Sequence, residues 1–508
     1  MAGPTESQEL YHEIFGSVLD RSELTPYLLR NCDGYESSLA RATLMMGNRG
    51  FAVADGELGD GELERAAAYV HQAVSYLLTG LFPEVRAQLE ALSRLGSPNA
   101  EKYSRAVSDI GEIAALLGGG ELATLIREDP RHLFLLASAA KYPHLFRGHP
   151  GGPDRVPPRW RLAACSVLKM CHLIKAIEED SQDIHDYACL GMFFESRGIP
   201  LNDLFSFDWS APDAEPEDES ARRAYVKLSA FFGKLHASVS GGTSPGSPET
   251  VPDDLVFNSG DGVRVDLVEV KARLKSPESM FAKLGKDASE EAYTIRDILA
   301  VTFLLKRRDD SLTLFHALQK QGVILQENTA SASITQTLFD GPEDMGEAVR
   351  SLMKSLALRE GVRAEPGDAE VRRNAEAFYR SLSTNAGANP HSSGQHRKFQ
   401  CKLNFSVPVR YDADTHRVLI PALDSRPARP GHEPCRARAV TRQHTLPVEL
   451  RISDIQSWEL SELRGESHHE AYKCRQLLTL MDRLFAPAFS FPREAFGQLR
   501  KDQDVLFR

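Results

Sequence analysis

Residues 263–279 read VRVDLVEVKARLKSPES, and the period of the chain changes twice within them. Val263, Val265 and Leu267 alternate with polar residues. The phase then slips by one, and Val268, Val270, Ala272 and Leu274 alternate with Glu269, Lys271, Arg273 and Lys275. Alternation at period two predicts a half-buried strand, and a one-residue slip predicts a bulge in it. One acid and three bases share its polar face. The strand then meets Ser276-Pro277-Glu278-Ser279, a helix start with a capping hydroxyl, a proline at the first turn and an acid near the positive end of the dipole. That helix buries Met280, Phe281 and Leu284, while Ser279 and Lys283, four apart, share another face. Two cations at a strand end, a hydroxyl and a cation on the next helix, and the backbone N–H groups of the helix start make a cradle suited to polyphosphate. A solvated basic edge is the plainer reading of the same residues.

Downstream, residues 401–410 (CKLNFSVPVR) predict a second half-buried strand with Leu403, Phe405, Val407 and Val409 inward. Val448, Leu450 and Ile452 mark a third, with Glu449 and Arg451 on its opposite face. Residues 454–485 return to helical spacing, and roughly 341–398 is a helix-bearing insertion with a Gly/Ser/Asn-rich tail. Upstream, residues 237–252 (ASVSGGTSPGSPETVP) read as a flexible linker. The region 1–236 is helical in period, with Leu63, Ala66, Ala67, Val70, Ala73, Val74 and Leu77 as its strongest apolar stripe. The fold class expected is therefore α+β: an all-helical domain over 1–236, a linker over 237–252, and a mixed sheet with flanking helices over 253–490. A chain of 508 residues exceeds what one core sustains, which fits this division.

Sixty basic against 71 acidic residues give a net charge of −11, which argues against a general nucleic-acid coat or a cationic membrane binder. No apolar run reaches the roughly 18–20 residues of a membrane span, and MAGPTESQELYHE at the start lacks the pattern of a signal peptide. Seven scattered cysteines without a CxxC predict no disulfide framework, so a cytoplasmic setting is expected. Cys165, Cys171, His172, His185 and Cys189 match no common zinc spacing and read as core residues. Gly118 to Gly120 lacks the Lys-Ser/Thr of a P-loop and reads as a helix break.

Two acids complete the candidate site. Asp297 precedes the apolar run Ile298–Leu305, and Glu449 stands on the third strand. A carboxylate pair on neighbouring strands is what Mg²⁺ carried by a nucleoside triphosphate requires. A capping aspartate and a glutamate paired with Arg451 are the alternatives.

Arg273-x-Lys275-x-x-x-Ser279-x-x-x-Lys283 followed by Asp297-Ile298-Leu299-Ala300-Val301 resembles the synthetase domain of the RelA/SpoT alarmone enzymes. Val448-Glu449-Leu450-Arg451-Ile452, then Glu462, His468 and Tyr472, resembles the strand and final helix of that domain. The resemblance spans roughly 255–485, and the whole chain also resembles an uncharacterised bacterial family distantly related to that fold. It implies an ATP- and Mg²⁺-dependent transfer of pyrophosphate to a ribose 3′-hydroxyl. Arg273, Lys275, Ser279 and Lys283 would hold the ATP phosphates. Asp297 and Glu449 would hold the metal as the catalytic pair, with Glu449 accepting the proton of the attacking hydroxyl. Arg451 and His468 would lie on the nucleotide side.

The chain departs from the family in two places. Thr302 stands where the family carries Arg. Where it carries a stacking Tyr and a His four residues on, one register gives Gln400 and Asn404 and the other Phe399 and Leu403; the alternation favours the first, with Lys402 on the same face. The resemblance implies a guanine nucleotide or another ribose as acceptor; between His391 and Arg451, eleven Lys and Arg stand against five Asp and Glu, which suits either a larger phosphate-rich acceptor such as an RNA 3′ end or simply a solvated loop. The helical half would regulate the enzyme or bind a protein partner. A nucleotide-binding sensor that has lost turnover is the rival reading.

Overall fold

In the computed structural model the described residues are 60–128, 130, 133, 136, 137, 157–179, 182–209, 216–240, 255–260, 262–286, 295, 297–362, 365–382, 397–419, 439–465, 468–485, 488, 489 and 491–508. The expectations for 1–59, for most of the 237–252 linker and for the tail of the insertion fall outside them; at the start of the expected linker Val239 and Ser240 instead form a strand paired with Phe257 and Val256.

In chain order the elements are helices α1 (Asp60–Ser75), α2 (Phe82–Ser93), α3 (Ala100–Gly118), α4 (Glu121–Glu128), α5 (Pro158–Glu179), α6 (Gln182–Ser196) and α7 (Glu219–His236). Strands β1 (Val239–Ser240), β2 (Leu255–Asn258) and β3 (Arg264–Leu274) follow, then α8 (Pro277–Lys286), β4 (Leu299–Leu305), α9 (Ser311–Lys320) and β5 (Thr329–Gln336). After them come α10 (Gly346–Arg359), α11 (Asp368–Ser381), β6 (Phe399–Asp412), β7 (Val418–Leu419), β8 (Ala439–Asp454), α12 (Ile455–Glu462), α13 (His469–Phe485) and α14 (Phe496–Leu506). The chain is thus mixed α+β, with the sheet in its C-terminal part.

Two units divide it: residues 1–180, 278–292 and 469–508 in one, and 181–277 and 293–468 in the other. These lines differ from the boundaries 1–236 and 253–490 expected from sequence. Helix α7 groups with the sheet because its apolar face covers β6, and α6 groups with it through its packing on α7. Conversely α8 from Glu278, α13 and α14 group with the early helices.

In the helical unit a π-helical turn over Tyr76–Leu81 joins α1 to α2. Tyr103 stacks on Phe491 with centroids 6.1 Å apart, and its hydroxyl donates to Asp502 Oδ2 at 2.6 Å. The fully buried Arg475 donates to Gln503 Oε1 at 2.6 Å, so a buried charge is anchored to an acceptor and not left alone. Gly285 on α8 lies close against Leu480 of α13, and its carbonyl accepts from Arg483 at 2.7 Å.

In the sheet unit the strand order is β1-β2-β3-β4-β8-β6-β5, with β7 on β6. Every pairing is antiparallel except β4 with β8. The expected bulge falls in β3, where its register with β4 shifts between Leu267 and Glu269. β4 is buried on both faces, as its unbroken apolar run requires for a central strand. β6 alternates, with Phe399, Cys401, Leu403, Phe405 and Val407 buried. Part of this apolar face is covered by α7, whose Phe231 meets Phe405 edge-on at 5.2 Å, and part by α9, whose Phe315 meets Phe399 at 4.8 Å. α7 starts at Asp218, whose carboxylate accepts from Ala221 N–H at 2.8 Å. Its Lys227 is wholly buried and pairs with Asp183 of α6 at 2.5 Å.

Candidate functional site

The register of four strands sets a row of side chains across the face opposite that apolar layer. Arg273 on β3 stands against Ala300 on β4, Ala300 against Glu449 on β8, and Glu449 against Lys402 on β6. Two residues along, Lys271, Thr302, Arg451 and Gln400 form the next row. Residues directly opposite share a face, so period-two alternation on each strand delivers the polar members of all four to one surface. Small Ala300 and Thr302 on β4 leave room for the longer chains on either side.

Glu449 is buried, and Arg451 Nε donates to its Oε1 at 2.5 Å. Burial alone would raise the Glu449 carboxyl, but the cations of Arg451, Lys398 and Lys402 outweigh it and hold the group at about 2, against an ordinary 4.5. The nearby Asp297 carboxylate acts on it in the opposite direction. Arg451 is raised because the attraction of Glu449 and Glu462 overcomes burial. Arg273 is lowered by burial and by the Arg451 guanidinium. The Lys398 ammonium, one alternation before Gln400 on the same face, is pushed down to about 7 by burial and then by Arg451. At the start of β4, Asp297 and Lys275 form a direct ion pair. Lys271 lies over the Trp458 ring of α12 at 5.4 Å.

Of the residues singled out from sequence, Arg273, Lys275, Asp297, Gln400, Lys402, Glu449 and Arg451 thus fall in these two rows or at their edge. Asn404 continues the face of β6 but stands opposite Pro447, exposed. Ser279 and Lys283 lie on α8 among the residues of the helical unit, both half-buried. His468 precedes α13 and does not lie on it; its N–H donates to Gly465 O at 3.1 Å. Lys398 and Lys271 went unremarked as site residues. The period-two pattern that singled out Lys402 extends back to Lys398, so the signal was present for it.

Asp297 and Glu449 supply two carboxylates whose charges act on each other, one of them kept ionised. That donor set suits Mg²⁺ shared with phosphate oxygens and is too small for an all-protein cage; among the described residues no group of three or more His, Cys, Asp or Glu could hold a metal. Cys165 and Cys171 are buried, and burial pushes the Cys171 thiol up, as core cysteines require. No described helix is long and apolar enough to cross a membrane. Comparison of the chain with protein-family models, with curated proteins and with solved structures gave no match.

Proposed function

We propose that this chain is an ATP- and Mg²⁺-dependent pyrophosphotransferase of the RelA/SpoT alarmone-synthetase type, with a guanine nucleotide or an RNA 3′ end as acceptor. The observation that carries this reading is the row Arg273–Ala300–Glu449–Lys402, which sets an ionised, buried carboxylate among cations from separate strands. Such a row provides fixed charges for a polyphosphate and one acid for a metal or a proton. In this reading the acceptor 3′-oxygen attacks the β-phosphorus of ATP, the bond to the α-phosphate oxygen breaks, and AMP leaves.

Asp297 and Glu449 would hold the Mg²⁺, which supplies neutralisation of the phosphate charge. Arg273 and Lys275 would bind the ATP phosphates. Glu449 would take the proton of the attacking hydroxyl. Its low pKa makes it a weak base, so alignment of charge is its larger contribution. Gln400 and Lys402 would face the acceptor. The helical first half would act as a regulatory or partner-binding domain, and the protein would work in the cytoplasm.

The rival is a nucleotide-binding sensor without turnover. The pairing of Asp297 with Lys275 and of Glu449 with Arg451 favours it, because each acid already has a base of its own. Purified protein incubated with γ-labelled ATP and Mg²⁺, with GTP, GDP or tRNA offered separately, distinguishes the two. Label on one acceptor, lost in Glu449→Gln, supports the transferase. ATP binding without transfer to any acceptor supports the sensor and overturns the enzyme.

A further inference from the structure

A cleft of about 420 Å³ opens within the sheet unit and shares no residue with the rows described above. Arg264 on its wall and Arg273 of the candidate site are nine residues apart on β3, roughly 30 Å at about 3.3 Å per residue. One wall is the turn before β3, where Gly262 adopts a φ of +88°, together with Arg307 and Asp310 beyond the end of β4. The other wall is a single stripe of α10: Arg350, Lys354 and Leu358 at four-residue steps, with Ser351, Ser355 and Arg359 beside them.

Five of the lining side chains are cationic: Arg264, Arg307, Arg350, Lys354 and Arg359. Only Asp310 and Glu347 are acidic. Within the cleft Arg350 pairs with Glu347 at 3.3 Å and Arg307 with Asp310 at 4.0 Å, while Arg350 also reaches outward to an Asp368 side chain 94% exposed, and Lys354 to a Glu365 side chain 76% exposed. Exposed pairs of that kind contribute little, so a phosphate entering the cleft can displace them. Ser355 lines the cleft, and its hydroxyl oxygen is buried with no hydrogen-bond partner among the described residues. Asp310 accepts from Ser351 Oγ at 3.0 Å, and its second oxygen faces the same region as Arg307. A bare anion would meet repulsion from Asp310 and Glu347. A ligand that carries hydroxyl or amino donors beside its phosphate would not. Leu358, 61% exposed, adds apolar surface at the rim, and the volume lies in the range of small-molecule sites.

We propose that this cleft is a second ligand site, for a phosphorylated, hydroxyl-bearing molecule of mononucleotide size. The assignment does not depend on the transferase reading. It is tested on the full chain by photo-crosslinking with 8-azido-ATP and 8-azido-GTP and mapping the labelled peptides. Label is expected on α10 or on the turn at 262–264, to be competed away by unlabelled nucleotide, and to fall at least tenfold in both Lys354→Glu and Arg264→Glu. Those side chains are 42% and 67% exposed, so both variants should fold, which circular dichroism checks. Labelling of this peptide should persist in Glu449→Gln, whatever that variant does to transfer. Absence of label from both segments, or labelling unchanged in both variants, overturns the proposal. So does displacement by inorganic phosphate as effective as displacement by nucleotide, because the cleft would then hold only an ion.

Discussion

Glu449 and Arg451 lie two residues apart on β8 and are joined by a hydrogen bond of 2.5 Å from Arg451 Nε to Glu449 Oε1. Side chains at that spacing share one face of a strand, so the pair is built into a single element and needs no tertiary adjustment to form. Removing one partner of a buried pair costs about 3–5 kcal/mol, because the other charge is left uncompensated. Arg451 also repels Arg273 and Lys398, which places Arg451→Met near the lower end, at about 3 kcal/mol. The double variant Glu449→Gln/Arg451→Met should lose less than the sum of the two single losses. Urea unfolding of the four proteins checks this, and strict additivity would show the pair to be uncoupled.

The same carboxylate sets an acid limit. Its pKa in the folded chain, about 2, lies below the ordinary 4.5, so its stabilisation is complete above 4.5 and is lost as pH falls from there towards 2. Unfolding free energy measured across that interval should fall more steeply in the wild type than in Glu449→Gln. Equal slopes would mean that Glu449 is not held ionised.

Lys398 gives a slope of the other kind. Its ammonium titrates at about 7 in the fold against an ordinary 10.5, so between those values the unfolded chain holds a proton that the folded chain lacks. Stability from this group therefore rises with pH across that window, and its cost is fully present below 7. Lys398→Met should be more stable than the wild type at pH 7, with the difference closing by pH 10. Denaturant midpoints at the two pH values decide it.

Much of the sheet was legible because its strands are half-buried and read at period two. The slip after Leu267 appears as the bulge in β3, although the second buried stripe begins at Val270 and Val268 is exposed, and the alternation of β6 settles which residues share the face of Lys402. The packing of α7 on the sheet was not legible, because helical spacing gives the apolar stripe of a helix without its partner. The cleft stripe of α10 was present in the sequence as cations four apart, at Arg350 and Lys354. Its opposing wall comes from the turn before β3, about 90 residues earlier, and only the fold brings the two together.

In the helical unit Gly285 permits the approach of α8 to α13. A Cβ added there would lie 2.2 Å from Leu480 Cδ1 and 3.0 Å from Leu173 Cδ1, and Leu480 is fully buried with little room to retreat. Overpacking of this kind costs about 1–3 kcal/mol, larger than the helix-propensity gain of alanine over glycine. Gly285→Ala should therefore lower the denaturant midpoint; a neutral or stabilising result would mean that the interface has slack.

Thr302 is buried between Lys271 and Arg451 in the second row, where the resemblance would put an arginine. If the missing cation were a simple loss, Thr302→Arg should strengthen ATP binding. The row already carries two cations flanking that position, and a third would be buried between like charges in space shaped for a threonine. Crowding and repulsion should together destabilise the chain by about 1–3 kcal/mol and, on the proposed ATP-binding reading, leave ATP affinity unchanged or lower. The informative companion is Arg451→Thr/Thr302→Arg, which moves the cation from β8 to β4 without adding one. Isothermal titration with a non-hydrolysable ATP analogue gives the comparison. Recovery of affinity in the swapped variant over Arg451→Thr alone is the expected result and would add Arg451 to the phosphate-facing cations of the proposed site. Tighter binding by Thr302→Arg alone would instead show that the row lacks a cation, and that Arg451 serves only to hold Glu449.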